Sequence, residues 1–417
     1  MIHQRYVRNM GARFDNASTS DTTPTVNTSP VATSSINSGL EGVVAASTSL
    51  SHVDGEAGTL VIAGFPVGEL AAHATFEETT WLLWHGALPT ARELEAFRAT
   101  LAASRMLSPA TITLLRECAR KAIDPMDALR IAVGTISLDI DSAGNADRDA
   151  GVAAAIVARC PAIVAAFWRL RRGLEPIAPR GDLDHAANFL YMLTGDTPDP
   201  ERVRALETYL NTVVDHGLNA STFTARVITS TGADLVSAIT GAIGALKGPL
   251  HGGAPGPALD MVFEIGEASR AEEMLRRKLD AGEKLMGFGH RVYKVRDPRA
   301  DVLAAAAERM FTRGGDSDPA NRALYTLARA VEATAIRLLD EYKPGRRLRT
   351  NVEFYTALLL HGLGLDVPLF TPTFAISRVS GWIAHAFEQR RVNRIIRPQS
   401  VYDGPRDRAW GPLAGRK

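Results

Sequence analysis

The residues best suited to chemistry in this chain are histidines in glycine-rich turns, one glutamate at a helix start and a scatter of arginines. Of ten histidines, His3, His52, His73 and His185 lie in polar or loop contexts. His85 and His361 stand beside glycine at helix ends, and His385 reads as a packed or capping residue within a helix. Three remain: His216 in Asp215-His216-Gly217-Leu218-Asn219-Ala220-Ser221-Thr222, His251 in Gly248-Pro249-Leu250-His251-Gly252-Gly253, and His290 in Gly287-Phe288-Gly289-His290. Glycine turns let a ligand approach the main chain closely. A single histidine in such a turn is most simply structural; two, with a third in a polar run, point to a site.

Thr350-Asn351-Val352-Glu353-Phe354-Tyr355 opens an apolar helical run, with Asn351 as N-cap and Glu353 in the first turn. An acid there also simply complements the helix dipole. Arg299 follows Asp297-Pro298, Arg378 follows Phe374-Ala375-Ile376-Ser377, and Arg397 lies in Arg394-Ile395-Ile396-Arg397-Pro398. Guanidinium groups suit a forked grip on carboxylates, although most arginines are only solvated. Nucleotide motifs fail: Gly287-Phe288-Gly289 lacks a third glycine and follows no strand, and no Gly-x4-Gly-Lys-Ser/Thr is present. No His-Glu-x-x-His pair occurs, so a metal site would need the three histidines and a carboxylate to converge in space. The expectation is a site without metal.

What must position these groups is helical. Of 417 residues 46% are hydrophobic and 22% charged, enough to bury a large core. Apolar residues recur at helical spacing over Ala91–Ser104, Pro109–Lys121, Met126–Leu138, Val152–Arg171, Pro200–Asp215, Thr231–Leu246, Ala271–Ala281, Arg299–Met310 and Pro319–Glu341. Only the stretch from Gly39 to Gly68 has β character, with a short strand at Thr59–Ile62. The absence of strand–helix alternation argues for a mainly α fold. The Gly- and Ala-rich helix from Gly232 to Leu246 permits close helix approach, as at a dimer interface. Residues 1–38, half Ser or Thr from Asn16 to Gly39, read as a disordered tail. Arg5, Arg8 and Arg13 among apolar residues leave open a mitochondrial transit peptide, against an otherwise cytoplasmic expectation.

A net charge of +1 argues against a nucleic-acid partner. The longest apolar run, taken as Leu235–Leu246, is too short to span a bilayer. Cys118 and Cys160 cannot build a disulfide framework and are expected as small core residues in a reducing compartment.

Taken in order, Gly248-Pro249-Leu250-His251-Gly252-Gly253, Gly287-Phe288-Gly289-His290-Arg291-Val292-Tyr293 with Asp297-Pro298-Arg299, and Asn351-Val352-Glu353-Phe354-Tyr355 resemble the citrate synthase family, 2-methylcitrate synthases included. Gly39-Leu40-Glu41-Gly42-Val43 with Asp54-Gly55 resembles that family's N-terminal signature, and the likeness spans about residues 39 to 404.

The resemblance implies a large helical domain (39–252 and 357–405), a smaller mobile helical domain (253–356) and a C-terminal tail (406–417). It implies condensation of acetyl-CoA with oxaloacetate to citrate and free CoA, with propionyl-CoA as the alternative acyl donor. A silent CoA- or dicarboxylate-binding sensor is an alternative of another class. By resemblance, His251 donates to the thioester oxygen, His290 to the oxaloacetate ketone, and Glu353 is the base. His216, Arg299 and Arg378 hold the dicarboxylate, and Arg397 reaches it from the partner in a homodimer. Arg346 and the backbone of Gly287, Phe288 and Gly289 are assigned to CoA, and no cofactor is implied. The family's usual residue at position 353 is Asp. One added methylene moves a carboxylate by about an ångström, so Glu353 implies a slightly re-seated base.

Overall fold

Local chemistry starts most of the helices. The computed structural model describes residues 38–139, 146–252, 255–290, 292–313, 319–410 and 412–415. Residues 1–37, Gly253 and Arg291, which figure in the sequence expectations, lie outside these. Met1–Ser47 form one unit, described only from a 3₁₀ turn at Ser38–Leu40 onward; Thr48–Lys417 form a second, which holds everything below.

The second unit opens with a meander: β1 (Ser51–Asp54) pairs antiparallel with β2 (Thr59–Ile62), and β2 with β3 (Phe65–Pro66). Short helices α1 (Val67–His73) and α2 (Phe76–His85) follow. Thr75 and Glu78 form a capping box on α2, as Thr90 and Glu93 do on α3 (Ala91–Ser104). Side chains of Ser108, Asp124, Asp199 and Asp234 cap α4 (Pro109–Arg120), α5 (Pro125–Val133), α9 (Pro200–Val213) and α11 (Leu235–Leu246). Each such cap contributes about 1 kcal/mol. Between these lie α6 (Ile136–Asp139), α7 (Ala146–Arg171), α8 (His185–Thr194) and α10 (Ala220–Ser230). The chain continues with α12 (Pro255–Ile265), α13 (Ala271–Asp280), α14 (Pro298–Arg313), α15 (Pro319–Tyr342), α16 (Val352–Gly362) and α17 (Phe370–Arg391). The fold is mainly α, as expected.

Several boundaries differ from the periodicity. The helix expected over Met126–Leu138 divides at Gly134 into α5 and α6, and the one expected from Thr231 waits for its cap at Asp234. α1, α8, α10 and α12 were not anticipated: each is short, and several are apolar on most faces, which blurs the periodic signal.

The longest apolar segment is Asp149–Arg171 of α7, not Leu235–Leu246, and by length and composition it suffices to cross a bilayer. It is mostly buried because α3, α4, α5, α8, α11 and α17 surround it. A helix apolar on all sides is what a central position requires. Cys160 lies fully buried in α7, where burial pushes its thiol up to about 12, and Cys118 is buried in α4. The close approach along α11 is internal to the chain: a Cβ on Gly241 would sit 2.2 Å from Ile228 of α10.

Candidate active site

α9, the first turn of α14, α16 and α17 converge with the links 214–219, 247–252 and 287–297 around one cleft of about 290 Å³. His216, His251, His290, Arg299, Glu353 and Arg378 all line it, with Tyr209, Asn219 and Phe374. Six groups drawn from a span of more than 160 residues thus meet in one place.

The His290 turn is fastened to the start of α16 by backbone bonds. Gly287 and Gly289 take φ of +85° and +82°, in the left-handed region that favours glycine. Gly289 N–H donates to Arg349 O at 2.8 Å, and Asn351 N–H to Gly287 O at 3.0 Å. The Asn351 side-chain amide donates to Gly289 O at 2.8 Å while its Oδ1 accepts the Glu353 N–H at 3.0 Å. Asn351 is therefore at once the N-cap of α16 and the clasp on the His290 turn.

Ring protonation follows from the donors around each ring. Val292 and Tyr293 N–H groups donate to His290 Nδ1 at 3.1 and 3.0 Å, so the proton of the neutral ring lies on Nε2. Arg299 Nη2 approaches that nitrogen to 3.4 Å, a contact between two donors rather than a bond. Burial, with Arg299 beside it, lowers His290 to about 4. His251 is lowered to about 4 by burial and then by Arg378. Its Nε2 accepts the Ser221 N–H at 3.3 Å and lies 2.7 Å from Ser221 Oγ, which leaves the ring proton on Nδ1. The Trp382 indole N–H in turn donates to Ser221 Oγ at 3.1 Å. His216 also falls well below its ordinary value, by burial and the nearby Arg299 and Arg378, and its Nε2 is 3.1 Å from Tyr293 Oη. At neutral pH all three imidazoles are uncharged.

The two cleft arginines differ. Asp297 holds Arg299 through Nε to Oδ1 at 3.0 Å and Nη2 to Oδ2 at 2.8 Å, and also accepts the Val352 N–H at 3.2 Å. Arg378 is buried in α17, donates Nε to Val213 O at 2.8 Å and lies 4.6 Å over the Phe374 ring. Among the described residues no carboxylate forms an ion pair with Arg378, and burial lowers it to about 10 despite the field of Asp215. A buried cation without a partner costs several kcal/mol, and an anion entering the cleft would offset that. Glu353 is raised above the ordinary glutamate value by burial, a shift that Arg299 opposes.

Arg397 stands apart: it is exposed in the segment after α17 and does not line its own chain's cleft. Arg346 is exposed in the turn after α15, where Gly345 has φ of +81°. Gly287, Phe288 and Gly289 stand behind the cleft wall, with the Phe288 ring 5.4 Å from that of Phe354. Among the described residues, no group of three or more His, Cys, Asp or Glu side chains has an arrangement that would hold a metal ion. Sequence reasoning did not single out Ser221, Tyr293, Asp297 or Trp382, and it read His385 as a packed or capping residue. For Ser221 and Trp382 the signal was faint, because their partners lie 30 and 161 positions away; Asp297 and Tyr293 sit inside the motifs of Arg299 and His290, where their roles went unread.

The family model for the citrate synthase C-terminal domain matches residues 39–399. A citrate synthase 2 of Bacillus subtilis is 43% identical over 91% of this chain and 98% of its own length. A 2-methylcitrate synthase of Mycobacterium tuberculosis is 40% identical over 95% of this chain and 97% of its own length. The ternary complex of the Thermoplasma acidophilum citrate synthase with carboxymethyl coenzyme A and oxaloacetate superposes with a TM-score of 0.81. That protein is 32% identical, covering 91% of this chain and 99% of the other. The chain belongs to the citrate synthase family.

Proposed function

We propose that the cleft joins the acyl carbon of acetyl-CoA to the ketone of oxaloacetate, and that the resulting thioester is hydrolysed to citrate and CoA. The observation that carries this reading is the meeting of a raised carboxylate, neutral imidazoles and an unpaired buried arginine in one cleft.

The steps follow from the geometry. Glu353, as its carboxylate, removes a proton from the carbon beside the thioester. His251, neutral, donates its remaining N–H to the oxygen on which charge develops. The enolate carbon attacks the oxaloacetate ketone, whose oxygen takes the proton shared by His290 Nε2–H. Water then cleaves the thioester: its oxygen bonds to the acyl carbon, and one of its protons leaves with the CoA sulfur. The proton taken by Glu353 restores His290, and the new carboxyl ionises, giving citrate, CoA and one proton. A neutral imidazole donor suits an enolate because its own basicity is not far from that of the oxygen it serves. Arg378, Arg299 and His216 hold the two carboxylates. The need for a local rather than global positive charge fits a net charge of +1.

Arg397 completes the dicarboxylate grip from a second subunit of a homodimer, which accounts for its exposure in the single chain. CoA extends from the cleft toward the basic turn of Arg346, and the reaction needs no further cofactor. The Thermoplasma acidophilum relative holds oxaloacetate and a CoA analogue together, which supports this pairing of ligands.

The test is thiol release from acetyl-CoA and from propionyl-CoA, each with and without oxaloacetate. Release that requires oxaloacetate and is faster with acetyl-CoA is expected. One methylene supplies only about 1–3 kcal/mol of discrimination, so slower turnover of propionyl-CoA is also expected. No oxaloacetate-dependent release with either thioester would overturn the reading and leave a silent binding protein.

A further inference from the structure

Behind His216 lies a buried polar chain that the condensation chemistry does not touch. Asp215 and His385 are both fully buried, the first on the link before α10 and the second in the middle of α17. Arg226 Nη1 donates to His385 Nδ1 at 3.0 Å, so that nitrogen accepts and the ring proton lies on Nε2. His385 Nε2–H therefore donates to Asp215 Oδ1, at 3.1 Å. The other carboxylate oxygen, Oδ2, accepts the Ser51 hydroxyl at 2.5 Å, and Ser51 Oγ accepts the Gly217 N–H at 2.8 Å. Arg226 is itself held by Glu388 Oε2 at 2.6 Å and Gln389 Oε1 at 3.1 Å. The donors converge on Asp215 from both sides, from Arg226 through His385 and from Gly217 through Ser51, so the chain holds Asp215 and Gly217, the residues on either side of His216.

The cost of such a construction argues that it acts on the site. Burying a carboxylate costs several kcal/mol, and apolar residues of similar size would hold α17 against the 214–215 backbone as firmly. Gly381 already permits that close approach, since a Cβ there would sit 2.3 Å from Val214 O and 3.3 Å from Asp215 Oδ1. What the polar chain adds is direction. Gly217 is at φ of +61°, which glycine adopts freely, and β1 fixes the turn through the bond from Gly217 N–H to Ser51. The same helix carries Arg378, which lines the cleft, and Trp382, which supports Ser221 under His251. Positions 378, 382 and 385 fall on one helical face.

We propose that His385, Asp215 and Ser51 are positioning residues that aim His216 at the dicarboxylate. This rests on reading the cleft as an oxaloacetate-condensing site. It sets their effect on oxaloacetate apart from any effect on the thioester, because His216 is tied to the dicarboxylate side of the cleft.

The test compares His385→Leu, His385→Gln and Ser51→Ala in steady-state kinetics on the full chain, with thermal melting alongside. His385→Leu removes the donor to Asp215 and is expected to raise the oxaloacetate KM about tenfold, equivalent to about 1.4 kcal/mol. The acetyl-CoA KM should stay within about twofold of wild type, within the usual scatter of a distant substitution. His385→Gln keeps an N–H toward Asp215 and should recover most of that loss. Ser51→Ala removes one neutral bond and should raise the oxaloacetate KM roughly threefold. An oxaloacetate KM unchanged in Ser51→Ala and His385→Leu overturns the proposal. So does a lower kcat or melting temperature with both KM values unmoved, the pattern of a merely structural role. If His385→Leu fails to fold, Ser51→Ala decides alone, because Ser51 lies on the half-buried edge of the meander. A wild-type chain with no oxaloacetate-dependent thiol release is a distinct result, which removes the condensing reading and this proposal with it.

Discussion

The two walls of the cleft are built by opposite means. His216, His251 and Arg378 belong to a wall made by the end of α9, the start of α10 and the middle of α17. There, buried side chains do the holding: His385 on Asp215 and Trp382 on Ser221, with Arg378 tied to the Val213 carbonyl. His290, Arg299 and Glu353 belong to a wall made by the 287–297 link and the starts of α14 and α16, fastened by main-chain bonds and by Asn351 and Asp297. A deep side-chain network fixes a binding surface. A short loop clasped to a helix start keeps its own members in register and can move as one piece. The comparison teaches that the acid and its partner imidazole are coupled to each other more tightly than either is to the dicarboxylate grip.

Removing the base should give the largest effect. Glu353→Gln keeps the shape and the bond from its N–H to Asn351, and kcat should fall by about 10²–10⁴ while the oxaloacetate KM changes little. Turnover within tenfold of wild type would transfer the role of base to another group. Because burial raises Glu353, the acid limb of kcat in the wild-type chain should lie above the ordinary glutamate value, with activity lost as pH falls through it. His251 and His290, lowered to about 4, stay neutral across that limb and do not set it.

Next come the two donors, one on each wall. His251→Ala and His290→Ala should each lower kcat by roughly 10²–10³. They should separate in partial reactions. Exchange of the acyl α-hydrogens with solvent, in the presence of a non-reacting oxaloacetate analogue, should be lost in His251→Ala and survive in His290→Ala. Equal loss in both would merge the roles that the two walls assign.

How much of this was legible in the sequence depends on the wall. His290, Arg299, Glu353 and His251 announce themselves because glycines, Asp-Pro-Arg and an N-cap cluster around them within a few residues. The helical class was equally plain, since caps and apolar spacing are local. The network behind His216 was not legible. Ser51, Asp215, Arg226 and His385 are separated by 164, 159 and 170 positions in their pairwise bonds, and no local pattern links them. The same limit hid α10: flanked by polar residues, its Ala220–Ser230 segment gains its helical partner only through α11 and α17.

A smaller effect tests the clasp itself. At Gly287 an added Cβ would meet Phe354 Cδ2 at 2.9 Å, and φ is +85°. Gly287→Ala should cost roughly 1–3 kcal/mol in stability, read as a lower denaturant midpoint. If the loop and the helix start move together, Glu353 and His290 keep their relation, and kcat should fall far less than in either histidine variant. Gly282, also at positive φ but with open space around it, is the control: Gly282→Ala should cost stability through backbone strain alone and leave kcat unchanged. A collapse of kcat in Gly287→Ala without loss of stability would mean that the wall is set by position 287 alone.

The smallest expected signal is a change of shape. With one wall fixed by side chains and the other clasped as a unit, a dicarboxylate that touches both should draw them together. Arg378 on the first wall and Arg299 on the second carry like charges within one cleft, and the field of Arg299 adds to burial in lowering Arg378. Oxaloacetate supplies two negative charges between them. Its binding exchanges that repulsion for two attractions in a site partly shielded from water. Closure of this kind would also delay access of water to the thioester until condensation is done. Solution scattering with saturating oxaloacetate should therefore show a slightly smaller radius of gyration than without it, and Arg378→Gln should abolish the change. Superimposable curves from the wild-type chain would show that the walls already stand at their working distance, and that the clasp serves register rather than motion.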